Sequence, residues 1–150
     1  MKRDTKNGYF AIGILNPKTE MNVGSLWRSA SIFNAAFIFT IGKRIIKQPS
    51  NTTKTHNSIP FYNYETFDDF YKNVPYDCQL IGVELDETSK PLVEYKHPKR
   101  CIYLLGAEDN GLTQKSRDKC KDIIELPNGN FNVANAGSIV MYDRFLKNNI

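Results

Sequence analysis

The chain has few of the residues that build disulfide frameworks or zinc centres. Its 150 residues include 3 cysteines, Cys78, Cys101 and Cys120, and 2 histidines, His56 and His97. An odd number of widely spaced cysteines fits reduced thiols better than a disulfide-stapled domain, and no C-x-x-C pair is present. We therefore expect no metal centre.

Long apolar runs are also missing. No stretch approaches the roughly 20 residues that cross a bilayer, and residues 1–4 are followed by polar residues rather than by the apolar core of a secretion signal. No Pro/Gly/Ser-rich linker or repeat divides the chain, whose hydrophobic content of 41% and charged content of 24% are those of globular proteins. The composition predicts one cytoplasmic domain over residues 1–150, without a membrane partner.

Two nucleotide-binding signatures are absent as well. The chain contains neither G-x-G-x-x-G nor G-x-x-x-x-G-K-[ST], which disfavours a nucleotide-binding oxidoreductase. Gly106 and Gly111 instead lie five residues apart, after a predicted strand and before a predicted helix. Their backbone can approach a ligand at the carboxyl edge of a sheet, although an ordinary strand-to-helix turn would have the same pattern.

Near-continuous apolar runs alternate with segments of helical spacing. The runs predict strands at 9–15, 36–42, 79–85, 100–106 and 123–126, with a short edge segment at 59–62. Helices are predicted from Asn22, over 64–71, over 113–120 and over 133–146. This alternation predicts an α/β fold with a mostly parallel sheet flanked by helices.

Basic residues are concentrated in one polar segment, although the net charge of +4 is mild. Lys43, Arg44, Lys47 and Lys54 lie there among Ser, Asn and Thr residues. Such a segment can contact phosphates, and a solvated surface loop is an equally good interpretation.

An asparagine-rich turn leads directly into the last predicted helix. Asn132 and Asn135 lie in the run 132–138, which follows a short strand stopped by Pro127. Asn and Gly tolerate left-handed backbone, and helix N-termini present free N–H groups. This segment therefore suits a small ligand held by main-chain groups.

The first predicted helix places Asn22, Gly24 and Arg28 within two turns. Arg28 is either an ordinary surface arginine or one that binds a phosphate or a reacting hydroxyl. The neighbouring Trp27 fits the core better than a base-stacking role.

Three motifs occur in order along the chain. They are Asn22-x-Gly24-x-x-x-Arg28, then Leu105-Gly106-x-Glu108-x-x-Gly111-Leu112, then Leu126-Pro127 followed by Phe131-Asn132-Val133-Ala134-x-Ala136 and a terminal helix carrying Tyr142. Together they resemble the motifs of the TrmH (SpoU) branch of the SPOUT RNA methyltransferases. The resemblance spans nearly the whole chain and is to minimal members without an added RNA-binding domain.

The resemblance implies a fold whose carboxyl-terminal part is threaded into a deep trefoil knot, an exception to the rule that chains are unknotted. The knot would bind S-adenosylmethionine, mainly through main-chain groups. The implied cofactor-binding residues are Val83, Glu84, Leu105, Gly106, Leu126, Asn130, Phe131, Asn132 and Ala136. Family members are homodimers with active sites at the subunit interface, and the last helix would supply much of that interface.

The implied reaction is methyl transfer from S-adenosylmethionine to a ribose 2′-hydroxyl of RNA, with tRNA favoured over ribosomal RNA. The resemblance makes Arg28 the catalytic residue, either as a base or as a cation that stabilises the developing alkoxide. Asn22 and Glu108 would orient Arg28 and the neighbouring loops, while Asn132 would shape the pocket. RNA contacts would come from Arg28, Lys43, Arg44, Lys47 and Lys54.

Two positions depart from the family pattern. Asn130 and Ala134 stand where serines are usual, so the hydroxyls of those side chains are lost. These changes keep open a knotted dimer that binds RNA or S-adenosylmethionine without methyl transfer.

Overall fold

The computed structural model describes residues 8–44, 59–127 and 131–149. Strands and helices alternate along these ranges, which confirms the predicted α/β fold. The elements are β1 (Tyr9–Leu15), α1 (Glu20–Ile32), β2 (Ile38–Ile41), β3 (Phe61–Tyr64), α2 (Phe67–Tyr71), β4 (Gln79–Val83), β5 (Lys90–Pro91), β6 (Arg100–Gly106), α3 (Gln114–Lys119), β7 (Asp122–Glu125) and α4 (Val133–Asn148). None of the helices in the described ranges is long and apolar enough to span a bilayer.

The seven strands form one parallel sheet in the order β3-β2-β1-β6-β4-β7-β5. Its centre is the pair β1 and β6, which are in register from Tyr9 opposite Arg100 to Leu15 opposite Gly106. Apolar clusters cover both faces. Burial on both faces explains why the central strands have almost unbroken apolar sequences.

The loops that follow the strands gather at one edge because all the strands run in the same direction. Val83 at the end of β4 pairs with Leu105 of β6 on one side and with Ile124 of β7 on the other. The segments after β4, β6 and β7 therefore leave the sheet side by side. This edge is where ligands bind in open α/β sheets.

Helix starts differ from the predicted ones because threonines cap them. Helix α1 begins at Glu20, ahead of Asn22, and the Thr19 hydroxyl accepts a hydrogen bond from the Asn22 N–H at 3.2 Å. Helix α2 begins later than predicted, at Phe67, and Thr66 caps it by accepting from the Asp69 N–H at 3.1 Å. A capping side chain satisfies an N–H that has no partner within the helix.

Two edge strands also differ from the prediction. Strand β3 begins at Phe61 rather than Ile59 and ends at Tyr64, the first residue of the predicted second helix. Strand β5 was missed because it is only two exposed residues long, and Lys90 pairs with Ile124. Neither edge strand has a buried apolar face, so the sequence pattern that marks the central strands is weak there.

Helices α1 and α4 pack together on one face of the sheet. The Ser138 hydroxyl donates to the Ser29 hydroxyl at 3.0 Å, and an added Cβ at Gly137 would overlap the Leu26 side chain. At the far end of α4, the fully buried Arg144 donates to the carbonyls of Pro98 at 2.7 Å and Lys99 at 3.0 Å. These contacts hold α4 at both ends, and the threading of a knot stays a prediction.

Candidate cofactor and active site

A cavity of about 1000 Å³ opens at the carboxyl edge of the sheet, between the segments after β4, β6 and β7 and the first turn of α4. Eight of the nine residues predicted to bind the cofactor line it, and their roles stay predictions. They are Val83, Glu84, Leu105, Gly106, Leu126, Phe131, Asn132 and Ala136. The ninth, Asn130, lies outside the described residues.

The segment after β6 is a tight turn closed by two glycines. The Gly111 N–H donates to the Ala107 carbonyl at 2.8 Å, and Gly111 has a φ of +63°. An added Cβ at Gly106 would overlap the Gly111 backbone and lie 2.7 Å from the Leu112 nitrogen. Glycine is therefore required at both positions by the turn itself, which forms one wall of the cavity.

Glu84 braces this turn from the neighbouring strand. Its Oε2 accepts from the Leu112 N–H at 2.7 Å, and its Oε1 accepts from the Leu85 N–H at 3.3 Å. The bond to Leu112 is at the short end of N–H to carboxylate distances, as charge-assisted bonds are. Glu84 thus joins the segments that follow β4 and β6.

Asn132 joins the three motifs. Its amide Nδ2 donates to Asn22 Oδ1 at 2.9 Å and to Glu108 Oε1 at 3.1 Å. Its Oδ1 accepts from the N–H groups of Ala134 at 2.9 Å and Asn135 at 3.2 Å. The side chain thus caps α4 and links it to α1 and to the turn after β6, with all of its amide groups used.

Arg28 lies away from this cluster. It is on the exposed side of α1 and is not among the described residues that line the cavity. Asn22 and Glu108 direct their side chains to Asn132, and in the described part of the chain neither makes a hydrogen bond to Arg28. The predicted orientation of Arg28 by these two residues is therefore not seen in the described part of the chain and stays a prediction.

The predicted RNA-binding residues are only partly described. Arg44 is bound to Asp109, and Lys43 Nζ lies 3.8 Å from a Glu65 carboxylate oxygen. Lys47 and Lys54 lie outside the described residues.

Two charged residues of the cavity wall were missed by the sequence interpretation. Glu125 ends β7, and Arg117 on α3 donates from Nε and Nη2 to the Leu112 carbonyl at 3.1 and 3.0 Å. The position of Glu125 directly before Leu126 could have indicated it. Arg117 gives no comparable signal, since it reaches the cavity only by folding back along its own helix.

The residues that the structure describes contain no group of three or more His, Cys, Asp or Glu that could hold a metal ion. The three cysteines are free thiols.

The profile of the SpoU rRNA Methylase family matches residues 9–142. The chain belongs to this family. This match confirms the predicted family. The parallel sheet and the cavity at its carboxyl edge display a SpoU-family fold.

Solved structures show the same fold at low sequence identity. The SpoU methyltransferase AviRb from Streptomyces viridochromogenes has a TM-score of 0.80 and 20% identity, covering 93% of this chain and 60% of that one. The AdoMet-bound rRNA methyltransferase from Sinorhizobium meliloti has a TM-score of 0.81 and 18% identity, covering 93% and 57%. A structure that concerns the 2-OH methylation of C/U34 on tRNA has a TM-score of 0.79 and 15% identity, covering 93% and 95%.

This SpoU-family chain thus spans 60% and 57% of the length of the first two relatives. No curated protein matches it.

Replacing Asn132 separates its two tasks. Asn132→Ala removes both the helix cap and the link to Asn22 and Glu108, so we expect a loss of about 1–2 kcal/mol in unfolding free energy. Asn132→Asp keeps the capping oxygen but places a carboxylate against Glu108. We expect it to lower the affinity for a ligand in the cavity more than it lowers the free energy of unfolding. Urea denaturation and calorimetry with S-adenosylmethionine measure the two effects.

Asn135→Ala is the matched control, because Asn135 is exposed on the same first turn. Equal effects of changes at positions 132 and 135 would remove the special role of Asn132.

Proposed function

We propose that this chain is an S-adenosylmethionine-dependent RNA methyltransferase that methylates a ribose 2′-hydroxyl, with tRNA as the favoured substrate. The observation that carries the proposal is the cavity lined by the second and third motif segments and by the segment after β4, in which Asn132 links the wall to Asn22 of the first motif. The family profile and the fold support the same class of reaction.

The cavity fits the cofactor in size and chemistry. Its volume of about 1000 Å³ lies at the upper end of the range for small-ligand sites. Apolar groups of Leu105, Leu126 and Phe131 suit an adenosine, and the Glu84 and Glu108 carboxylates suit a cation. The bound cofactor supplies a methyl group on a positively charged sulfur. The protein has to hold the cofactor and position the ribose hydroxyl beside it.

Arg28 is the residue that we assign to the hydroxyl. A ribose hydroxyl is a poor nucleophile at neutral pH, so the reaction needs alignment and a positive charge near the developing alkoxide. Arg28 is exposed on α1, so a substrate can reach its guanidinium. Because arginine is a permanent cation, we favour stabilisation of the alkoxide or of the adjacent phosphate over proton abstraction.

A homodimer would complete the site. Met21 and Ile32, on the same exposed stripe of α1 as Arg28, are 80% and 68% exposed. The stripe continues onto α4, where Tyr142 and Phe145 are about half exposed and pack against Phe33. Contiguous exposed apolar surface marks an interface. We propose that each active site combines the cavity of one subunit with Arg28 of the partner subunit.

A binding-only dimer is the alternative. Ala134 is buried in the first turn of α4 and has no hydroxyl to offer the pocket. A protein of this kind would bind S-adenosylmethionine and RNA without transferring the methyl group.

Labelled S-adenosylmethionine and separate pools of unmodified tRNA and ribosomal RNA distinguish these functions. Incubation with the purified protein, followed by nucleoside mass spectrometry, should reveal a 2′-O-methylated nucleoside in the tRNA pool. Product in the ribosomal pool alone would mean that ribosomal RNA, and not tRNA, is the substrate. Binding of cofactor and RNA without any product would favour the binding-only dimer, and a methylated base would refute ribose specificity.

A further inference from the structure

One ion pair joins a predicted RNA-binding residue to Asp109, in the turn that follows β6. Arg44 donates from Nη2 to Asp109 Oδ2 at 3.0 Å and from Nη1 to Asp109 Oδ1 at 3.3 Å. The same Nη1 lies 3.3 Å from the Asn16 carbonyl. The two-bond geometry between guanidinium and carboxylate is the one that an arginine also uses for a phosphate.

The pair is accessible to solvent. The Arg44 and Asp109 side chains are 31% and 35% exposed. Exposed ion pairs contribute little to stability, because water and salt compensate for their loss. An incoming phosphate can therefore replace the Asp109 carboxylate at small cost.

The Asp109 carboxylate is ionised at pH values near neutrality, so it can compete with a phosphate for Arg44. Its hydrogen bonds from Arg44 hold the pKa of Asp109 below its ordinary value, and the nearby positive charge of Lys18 acts in the same direction. Asp109 therefore stays charged over the pH range in which RNA binding would be measured.

We propose that Asp109 occupies the phosphate-binding position of Arg44 in the free protein, and that an RNA phosphate displaces it. Asp109 then lowers the affinity for RNA, although it need not touch the RNA itself. The inference rests on the proposed function, since it takes RNA as the substrate.

The displaced residue belongs to the turn that lines the cofactor cavity. Asp109 follows Glu108, which accepts from Asn132 at 3.1 Å, and both belong to the turn that Gly106 and Gly111 close. Release of Arg44 removes the restraint on the outer side of this turn. The bonds that Glu84 and Glu108 accept from the Leu112 and Val133 N–H groups do not involve Asp109.

A double-mutant cycle tests the proposal by fluorescence anisotropy with a labelled, unmodified tRNA transcript. Asp109→Asn preserves shape but weakens the pair, so RNA affinity should rise about two- to five-fold, the range expected for an exposed ion pair. In an Arg44→Ala background the same change should have no effect beyond that of general charge. Arg44→Ala alone should weaken binding and reduce its dependence on salt.

The matched control is Glu87→Gln. It removes one negative charge from an exposed residue in the segment after β4, at the same carboxyl edge of the sheet. It measures the general gain in RNA affinity from the loss of an acidic residue. Thermal unfolding of each variant shows whether the fold is intact.

Three results would overturn the inference. An equal gain for Asp109→Asn with and without Arg44 would mean that the effect is general electrostatics. A loss of affinity on Asp109→Asn would mean that Asp109 holds Arg44 ready rather than competing for it. A wild-type protein that neither binds nor methylates RNA would refute the proposed function and the inference together. If the wild-type protein is active but the effects of Asp109→Asn and Arg44→Ala are additive, the inference alone is refuted.

Discussion

Arg28→Ala is expected to lower the rate of methyl transfer at least about 100-fold, as does the loss of other groups that stabilise a developing oxyanion. The fold and the affinity for S-adenosylmethionine should be unchanged, because Arg28 is exposed and is not among the described residues that line the cavity. Single-turnover methylation of the identified RNA, with calorimetry for the cofactor, measures both. Activity within a few-fold of wild type would remove Arg28 from the mechanism.

The matched control is Arg100→Ala. Arg100 begins β6, at the opposite edge of the sheet from the cavity, and is paired with Asp77 at 2.7 Å. Removing it changes the net charge equally, so a similar loss of transfer would indicate general electrostatic attraction of RNA rather than catalysis.

Mixed dimers extend the test of Arg28. If each site combines the cavity of one subunit with Arg28 of the partner subunit, Arg28→Ala and Asn132→Ala chains can complement each other. Random mixing should restore roughly a quarter of wild-type activity, since half of the dimers are mixed and each has one intact site. No recovery in mixed dimers would place both residues in a site built by one subunit.

Gly106→Ala is expected to lower cofactor affinity at least about ten-fold and to destabilise the protein by about 1–3 kcal/mol, the usual cost of overpacking. The added methyl group would overlap the Gly111 backbone, which no side-chain rotation can relieve. The turn must open, and with it the cavity wall. Denaturant unfolding and calorimetry with S-adenosylmethionine give the two numbers.

Gly82→Ala serves as the comparison within the same sheet. Its Cβ would lie 3.0 Å from Cys120 Sγ and 3.0 Å from Leu112 Cδ1, both of which are side-chain atoms that can shift. Cofactor affinity should change less than for Gly106→Ala. If the two variants bind the cofactor equally well, the turn after β6 does not form the binding wall.

Much of the fold could be predicted because central strands carry a local signal. The bounds of β1 and β6 match their apolar runs residue for residue. The edge strand β5 has two exposed residues and leaves no such trace. Its place is decided by pairing with β7, which is distant in sequence.

The candidate site, like the fold, could be predicted from the sequence only in part. The motifs indicated Asn22, Glu108 and Asn132 individually, and the sequence interpretation directed the first two to Arg28 and the neighbouring loops. The structure instead joins them to one another, with Asn132 and Asn22 separated by 110 residues. The expectation was incomplete because motif spacing contains no information on side-chain direction.

The sequence by itself determined the alternation of strands and helices, the family and the segments that form the cavity, because these follow from local periodicity and short motifs. Only the tertiary structure decided that Asn132 joins three segments, that Arg44 is held by Asp109 across 65 residues, and that Arg28 is not among the described residues of the cavity wall. The physical reason is strand order: a parallel sheet brings distant loops to one edge, and the pairs formed there depend on neighbours in space.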